Sequence, residues 1–231
     1  MVRAESAPAR AFRLGGAAAS GAALVVFARW WQASGALRPV TGAAAAGTDA
    51  LLFSLFALHH SVLARPFAKA WLSRVVPPPL LRSTYVWTAS VLLAVTALAW
   101  QSVGGVVWEA GTLARALLGG TQAAGLATLL LSARRISVRE LAGLDNGLDR
   151  AGVVESGGPY RLVRHPIYLG VLLLLGAATP MTGDRVLFVA LTLLYVVIAM
   201  PYEEAGLAAQ LGPDYDAYRA RVRWRLIPYV H

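Results

Sequence analysis

The chain has 231 residues, of which 57% are hydrophobic and 14% charged, and this leaves too little polar surface for a soluble globular protein of that size. The net charge of +9 at pH 7 would suit nucleic acid, but the basic residues lie between apolar segments and form no stripe, so no nucleic acid partner is expected. The absence of cysteine excludes disulfides, thiolate metal sites and a cysteine nucleophile. The sequence therefore predicts a multi-pass membrane protein whose partner is the lipid bilayer.

Six apolar segments predict an all-α bundle with about six membrane-crossing helices. The segments occupy residues 14–31, 43–64, 84–100, 111–132, 167–178 and 186–200. A signal peptide is the alternative interpretation of the first segment, but the charge distribution described below favours a membrane span there. Between the second and third segments, Pro77-Pro78-Pro79 predicts a stiff, extended connector without helix.

Two adjacent histidines, His59 and His60, lie inside the second apolar segment. Neighbouring residues on a helix point about 100° apart, so the pair does not ligate one ion comfortably, and no metal site is predicted. Polar residues within a span usually face the interior of a bundle, which favours a role in helix packing or in a substrate pocket.

The last two apolar segments are each shorter than the roughly 17 residues that cross a bilayer, and a cluster of helix-breaking residues at 179–184 separates them. This pattern predicts a close-packed helical hairpin. A hairpin returns the chain to the face that it left. We therefore expect Glu203 and Glu204 to lie beside Arg164 and His165.

The C-terminal segment carries apolar and aromatic residues on one helical face and predicts a cytoplasmic amphipathic helix. The residues of this face are Leu207, Leu211, Tyr215, Tyr218 and Val222. Gly212-Pro213 divides the face into two segments. Two placements are open, because the helix either lies on lipid headgroups or folds over the mouth of the hairpin as a lid.

Most of the 21 lysine and arginine residues fall on one side of the predicted spans, which places both termini and the candidate active site in the cytoplasm. Lys69 is the only lysine, and this preference for arginine suggests a GC-rich bacterial source and hence the inner membrane. By function, we divide the chain into N-terminal transmembrane helices at 1–132, with about four spans, and a catalytic region at 133–231.

Residues 157–170 turn a polar loop into a buried helix and carry the most distinctive chemistry of the chain. Pro166 suits the first turn of a helix, which puts His165 near the N-cap. The amides at a helix start, together with the guanidinium of Arg164, favour an anionic ligand group. The alternative is a helix cap beside the membrane, whose arginines contact lipid phosphates.

The pattern Gly-Pro-Tyr-Arg-x-x-Arg-His-Pro-x-Tyr-x-Gly at 158–170 resembles the signature of the isoprenylcysteine carboxyl methyltransferase superfamily, which comprises integral membrane enzymes that use S-adenosylmethionine. A second block of the superfamily is similar to Glu203-Glu204 and to the Gly-x-x-Tyr-x-x-Tyr-x-x-Arg-Val pattern at 212–222. Two further stretches, 60–65 and 82–86, look like its methanethiol S-methyltransferase branch and the related membrane proteins associated with nitric oxide reduction.

The resemblance implies S-adenosylmethionine as the cofactor and assigns its contacts to the two matched blocks. The implied cofactor-binding residues are Arg164, His165, Pro166, Tyr168, Leu169, Gly170, Glu203, Tyr215, Tyr218 and Arg221. Glu203, Glu204 and His165 are the candidate catalytic residues, which orient the methyl acceptor or take its proton. No Gly-x-Gly-x-x-Gly follows a strand, so a Rossmann-type site is not expected.

The predicted function is methylation of a small thiol or a lipophilic acceptor by an integral membrane S-adenosylmethionine-dependent methyltransferase. A protein-S-isoprenylcysteine carboxyl O-methyltransferase is less favoured, because residues 199–202 lack the arginine expected before the glutamate pair. A non-catalytic membrane subunit would bind a partner or a haem through His59 or His60. A transporter would use Asp49 and His59, but the chain shows no internal repeat.

Overall fold

The computed structural model describes residues 6–36, 42–63, 65–145 and 154–230. Within these ranges the chain is mainly helical with two very short strands, as the sequence predicts. The α-helices are α1 (Ala7–Ala33), α2 (Ala43–Val62), α3 (Pro66–Leu72), α4 (Leu81–Ala99), α5 (Thr112–Ile136), α6 (Val138–Leu141), α7 (Pro166–Gly176), α8 (Gly183–Leu211) and α9 (Pro213–Arg221). Two short 3-10 helices, Pro78–Leu80 and Gly158–Arg161, and two short strands, β1 (Val106–Trp108) and β2 (Met181–Thr182), complete the described structure.

Four helices of the described chain are long and apolar enough to cross a membrane: α1, α4 with the preceding 3-10 turn, α5 and α8. The predicted class of an all-α, multi-pass membrane protein is confirmed. The other two predicted spans are α2, which carries Asp49, His59 and His60, and α7, which has only 11 residues. Six crossings therefore require both α2 and α7 to span, and that number stays a prediction.

The chain divides into two compact units. The first unit comprises Met1–Gln32, Gly47–Gln101 and Val138–Asp149, and the second comprises Ala33–Ala46, Ser102–Ser137 and Arg150–His231. The second unit contains both sequence blocks of the candidate site, together with α5, α7, α8 and α9. The functional division at 132/133 stays a prediction.

In the first unit, aromatic and hydrogen-bonding contacts join segments that are distant in sequence. The rings of Trp30 and Trp100 pack with their centroids 5.0 Å apart. The buried Ser83 hydroxyl donates to the carbonyl of Gly143 at 2.7 Å, which ties α4 to the turn after α6. This unit thus contains its own helical core.

The loop between α2 and α4 is more helical than predicted. The prediction that Pro77-Pro78-Pro79 excludes helix is wrong, because Pro78 and Pro79 open a 3-10 helix that leads directly into α4. Proline fits the first turn of a helix, since its φ is already close to helical and its missing N–H has no partner there. The same loop also contains α3.

In the second unit, α5 and α7 pack at the closest helix crossing. A Cβ atom added to Gly170 would lie 2.8 Å from the carbonyl oxygen of Gly125, and one added to Gly125 would lie 2.7 Å from the amide nitrogen of Leu174. Such distances leave no room for a side chain on either glycine. Small residues at a crossing let two helix backbones touch, which is a common way to join helices in a membrane.

The hairpin of α7 and α8 is observed, and its turn pairs with the segment before α5. Strands β1 and β2 are antiparallel, with Val106 opposite Thr182. The hydroxyl of Thr182 accepts from the amide of Arg185 and caps α8, while the Asp184 carboxylate accepts from the amide of Val103 at 2.8 Å. From Gly183 the helix rises about 30 Å to Glu203 at 1.5 Å per residue, which matches the thickness of a bilayer core.

Candidate active site

The start of α7 and the second half of α8 meet at the candidate site. His165 is the N-cap of α7 and Pro166 opens its first turn, as predicted. The Arg164 Nε donates to Glu204 Oε1 at 2.7 Å. The predicted approach of the glutamate pair to Arg164 and His165 is thus observed.

Arg164 is buried and binds the C-terminal segment as well as Glu204. Its Nη1 donates to the carbonyl oxygens of Val222 and Arg223 at 2.8 and 2.7 Å. No described residue accepts a hydrogen bond from Nη2. Arg164 therefore fixes the path of the chain after α9, a structural role that the motif did not indicate.

The same C-terminal segment also pairs with the backbone before α7. The amides of Arg164 and His165 donate to the carbonyl oxygens of Trp224 and Arg225, both at 2.9 Å. Further along, Leu226 is buried in an apolar cluster with Val196 and Met200 of α8. Residues 222–226 thus form a strap across the start of α7.

Glu204 occupies the centre of the charged cluster. Its side chain is 4% exposed, and the Arg225 Nε lies 3.3 Å from its Oε2. The Nε2 of His165 lies 3.2 Å from Oε1, which also accepts from Arg164. Because both oxygens face cationic or N–H groups, the charge of this carboxylate is compensated within the protein.

Glu203 is the more accessible member of the pair, with a side chain that is 43% exposed. Its Oε2 accepts from the Tyr168 hydroxyl at 2.9 Å and lies 3.7 Å from Nδ1 of His165. The rings of His165 and Tyr168 stack, with an interplanar angle of 16°. These contacts orient the Glu203 carboxylate without burying it.

A cavity of about 200 Å³ opens beside this cluster. It combines two carboxylates, three tyrosines, a cation and several aliphatic side chains. The residues that line it are Ile136, Val154, Glu155, Tyr160, Arg164, His165, Glu203, Leu207, Leu211, Tyr215 and Tyr218. Five of the predicted site residues thus share one cavity, and Glu203, unlike Glu204, is among them.

The two tyrosines of α9 differ in how their hydroxyl groups are satisfied. Tyr218 donates to the carbonyl oxygen of Tyr160 at 2.9 Å. The Tyr215 hydroxyl is buried and has no hydrogen-bond partner among the described residues. Burial, reinforced by the negative charge of Glu204, raises the pKa of Tyr215 to about 12, so the hydroxyl keeps its proton at neutral pH. An unsatisfied buried donor at a cavity wall is a place for a ligand atom.

The cavity residues fit the chemistry of S-adenosylmethionine. Glu203 and Glu155 are suited to its cationic and hydroxyl groups, Leu207 and Leu211 to its adenine, and Tyr215 offers a free donor. Sites that enclose ligands of this size usually measure about 300–1,000 Å³. Binding therefore requires the walls to move or part of the ligand to lie outside the cavity.

The remaining predicted residues do not line the cavity. Tyr168 and Leu169 pack against the apolar cluster that contains Leu226. Gly170 belongs to the crossing with α5, and Arg221 is exposed at the end of α9. Their roles as cofactor contacts stay predictions.

The structure adds three residues that the sequence reasoning did not select. Tyr160 and Glu155 line the cavity, and Arg225 contacts Glu204. Tyr160 stands inside the Gly-Pro-Tyr-Arg pattern, so the motif itself contained that signal. Glu155 accepts from the amide of Gly157 at 2.8 Å, and neither it nor Arg225 belongs to a pattern that marks a site.

The histidines of α2 form a separate polar group in the first unit. The Tyr85 hydroxyl lies 2.7 Å from Nδ1 of His60, and the His59 ring stacks on the ring of Tyr85. Among the described residues, no group of three or more His, Asp or Glu side chains is arranged to hold a metal ion.

Comparison with known proteins gives a consistent set of relatives. The chain is 35% identical over 179 residues to Methanethiol S-methyltransferase 2 of Bradyrhizobium diazoefficiens, which covers 74% of the chain and 69% of the relative. It is 36% identical over 193 residues to Methanethiol S-methyltransferase of Mycobacterium tuberculosis, an alignment that covers 78% of the chain and 77% of the relative. It is 32% identical over 190 residues to Methanethiol S-methyltransferase of Crocosphaera subtropica, which covers 79% of the chain and 74% of the relative. No family model and no solved structure matches the chain.

Proposed function

Because the chain belongs to the methanethiol S-methyltransferase branch of the isoprenylcysteine carboxyl methyltransferase-like family, and is a membrane methyltransferase, we propose that it methylates the sulfur of a small thiol such as methanethiol, with S-adenosylmethionine as the donor. The observation that carries this proposal is the cavity of the second unit. It combines Glu203, Arg164 and the unpartnered Tyr215 hydroxyl, which come from both matched sequence blocks.

The residues of the cavity have two roles in the proposed reaction, which are to bind the cofactor and to accept the proton of the thiol. When bound, S-adenosylmethionine supplies a methyl group on a positively charged sulfur. Glu203, Tyr215 and Leu207 would hold it, with Glu203 placing negative charge near the cation. Methylation of a thiol releases its proton. Glu203 is the cavity carboxylate that Tyr168 and His165 orient, and it is our candidate to accept that proton.

Glu204 and Arg164 act as positioning residues in this proposal. Their ion pair joins α8 to the start of α7, and the strap 222–226 closes over it. By fixing the start of α7 against α8, the ion pair and the strap hold the cavity groups in place for an in-line displacement that needs little covalent assistance. His165 links the two glutamates and is a second candidate to relay the proton.

We further propose six crossings, with both termini and the cavity on the cytoplasmic side of a bacterial inner membrane. The distribution of basic residues supports this orientation. Here α2 and α7 complete the spans α1, α4, α5 and α8. Residues 177–182 extend the reach of the short α7, and most of them are buried, as an irregular segment within a membrane has to be.

The proposal is tested with the purified full-length protein in detergent. S-adenosylmethionine is titrated by calorimetry, and the protein is then incubated with the cofactor and either methanethiol or a farnesylcysteine analogue. We expect saturable binding, with dimethyl sulfide from the thiol and no methyl ester from the analogue. Formation of the ester alone would instead assign carboxyl methylation, and folded protein that binds no cofactor would overturn the proposal.

A further inference from the structure

A second cavity, of about 380 Å³, lies in the first unit and takes no part in the chemistry described above. It is bordered by the loop between α2 and α4, the first turns of α4 and one residue of α6. Its lining residues are Leu63, Lys69, Leu72, Pro78, Pro79, Leu81, Arg82, Tyr85 and Glu140. The volume is within the range of sites that bind small organic ligands.

The polar residues of this cavity carry a net positive charge. Lys69 and Arg82 are basic, and Glu140 is the one acid among the described residues that border it. Partial burial and the charge of Arg82 lower the pKa of Lys69, and Glu140 offsets this only in part. An anion between the two cations would relieve their repulsion.

The two cations differ in how the protein holds them. The Arg82 Nε donates to the carbonyl oxygen of Glu140 at 3.0 Å, and its guanidinium lies over the ring of Tyr85, 5.2 Å from the centroid. This fixes the guanidinium at the cavity wall. No described residue forms a hydrogen bond or an ion pair with the Lys69 ammonium group, and the side chain is only partly buried and remains accessible to a ligand. One donor is thus preorganised and the other is free to close on an anion.

The surroundings of the cavity have the composition of a membrane interface. The candidate span of α4 begins at Pro78 and α2 ends at Val62, so in the six-crossing topology proposed above the cavity lies where two helices leave the apolar layer. Beside it, α3 and the turn after it expose Phe67, Trp71 and Val75. Exposed aromatic and aliphatic side chains next to basic residues are typical of segments that lie in the headgroup region.

From this combination we propose that the cavity binds an anionic phospholipid, with the phosphate between Lys69 and Arg82 and the first acyl segment against Leu72, Leu81 and the prolines. Basic pockets at the ends of membrane helices bind lipid headgroups in this manner. A zwitterionic lipid fits less well, because its ammonium group would meet two cations. A free phosphate would leave the apolar walls exposed to water.

The single lysine of the chain makes the proposal directly testable. The purified full-length protein in detergent is acetylated with an amine reagent, and modification of Lys69 is followed by mass spectrometry. We expect phosphatidylglycerol to slow acetylation at least threefold, and phosphatidylcholine or inorganic phosphate to have no such effect. Equal protection by both lipids, protection by phosphate alone, or no protection would each overturn the proposal.

A second measurement tests lipid binding without chemical modification of Lys69. Native mass spectrometry counts phosphatidylglycerol bound to wild type, Lys69→Gln and Arg74→Gln, where Arg74 is an exposed residue of the same loop that does not border the cavity. Because the Lys69 ammonium would contact the phosphate directly, Lys69→Gln should bind about fivefold more weakly, which corresponds to about 1 kcal/mol. Arg74→Gln should bind like wild type. Equal loss in both variants would indicate general charge attraction and contradict a built site.

Discussion

Adjacent residues on an α-helix point about 100° apart, and this separates the two glutamates of the site. The Glu204 carboxylate is buried between Arg164, Arg225 and His165. Glu203 keeps its carboxylate at the cavity, where Tyr168 donates to it. One glutamate therefore supports the architecture and the other is available to ligands.

Replacing Glu204 tests the supporting role. In Glu204→Gln, the neutral amide leaves Arg164 and Arg225 without a counter-charge, and breaking a buried ion pair typically costs about 3 kcal/mol or more. We expect the melting temperature of the detergent-solubilised protein to fall by roughly 5–10 °C. Asp214→Asn removes an exposed carboxylate nearby and should melt like wild type. Unchanged melting of Glu204→Gln would show that the cluster contributes nothing to stability.

Tyr215→Phe tests the unpartnered hydroxyl. Because this group has no hydrogen bond to lose, the variant should be at least as stable as wild type. If the hydroxyl binds the cofactor, the affinity for S-adenosylmethionine should fall by roughly threefold to tenfold, the effect of one hydrogen bond, as calorimetry measures. The pKa of about 12 means that this difference should be constant from pH 6 to pH 9.

Tyr218→Phe is the matched comparison for that experiment. Its hydroxyl donates to the carbonyl of Tyr160, so its removal should lower stability by about 1 kcal/mol, seen as a lower melting temperature. If instead Tyr215→Phe lost stability and kept full affinity, the assignment of the two hydroxyl groups would be reversed.

For single residues, the sequence predicted which side chains lie in contact, but not which glutamate is buried in an ion pair and which is accessible to ligands. The predicted hairpin brings the glutamates beside Arg164, and the contact between Arg164 and Glu204 is observed. The orientation of each carboxylate depends on the strap, because its backbone carbonyls bind Arg164 and its Arg225 binds Glu204. Backbone carbonyls carry no side-chain pattern, so this part of the site was not predictable.

Among the helices, α5 and α7 pack closely at Gly125 and Gly170, and this crossing positions the start of α7 at the candidate site. Gly170 stands in the signature pattern, where the resemblance implied a cofactor contact. In the structure it lies against the backbone of Gly125 and Leu129. Its requirement for glycine therefore follows from helix packing.

Gly170→Ala should lower stability, because the added methyl group meets backbone atoms that yield only if the helices separate. Overpacking of this kind costs about 1–3 kcal/mol, so the melting temperature should fall by roughly 2–10 °C. Gly176→Ala is the control on the same helix, since a Cβ there meets nothing within 4 Å. If both variants melted alike, the close crossing would not limit stability.

Element boundaries were harder to predict than element positions. The apolar segment predicted to end at residue 200 continues as helix through Pro201 to Leu211, so the glutamates and Leu207 belong to α8 itself. Hydrophobicity marks the part of a helix that lies in lipid, whereas the helix continues as long as packing supports it. Here the face of Leu207 and Leu211 packs against Tyr215, Tyr218 and Val222.

For the whole molecule, the number of crossings depends on short α7. If α5, α7 and α8 all cross, Glu109 and Asp214 lie on opposite faces of the membrane, whereas without α7 they share one face. Both residues are exposed, and the chain has no cysteine, so Glu109→Cys and Asp214→Cys each give a single thiol. In intact cells, a membrane-impermeant maleimide should label only position 109. Labelling of both would remove α7 from the spans.

The class of the whole molecule was predictable because composition and apolar periodicity depend on every residue. The membrane bundle follows from the composition and the apolar segments, and the methyltransferase family follows from the two matched motifs. The arrangement in compact units was not predictable, because it depends on contacts such as those between the strands at Val106 and Thr182, which involve only a few residues.

Thiol methylation at Glu203 is tested by the turnover of methanethiol and S-adenosylmethionine to dimethyl sulfide, measured for purified wild type, Glu203→Gln and Asp214→Asn. General-base contributions are typically 10²–10⁴-fold, so Glu203→Gln should be about 100-fold slower or more. The rates are compared at saturating S-adenosylmethionine, because loss of the Glu203 charge should also weaken cofactor binding, and Asp214→Asn should turn over like wild type. Wild-type turnover by Glu203→Gln would contradict the role of Glu203, and no dimethyl sulfide from wild-type protein that binds S-adenosylmethionine would contradict the proposed function.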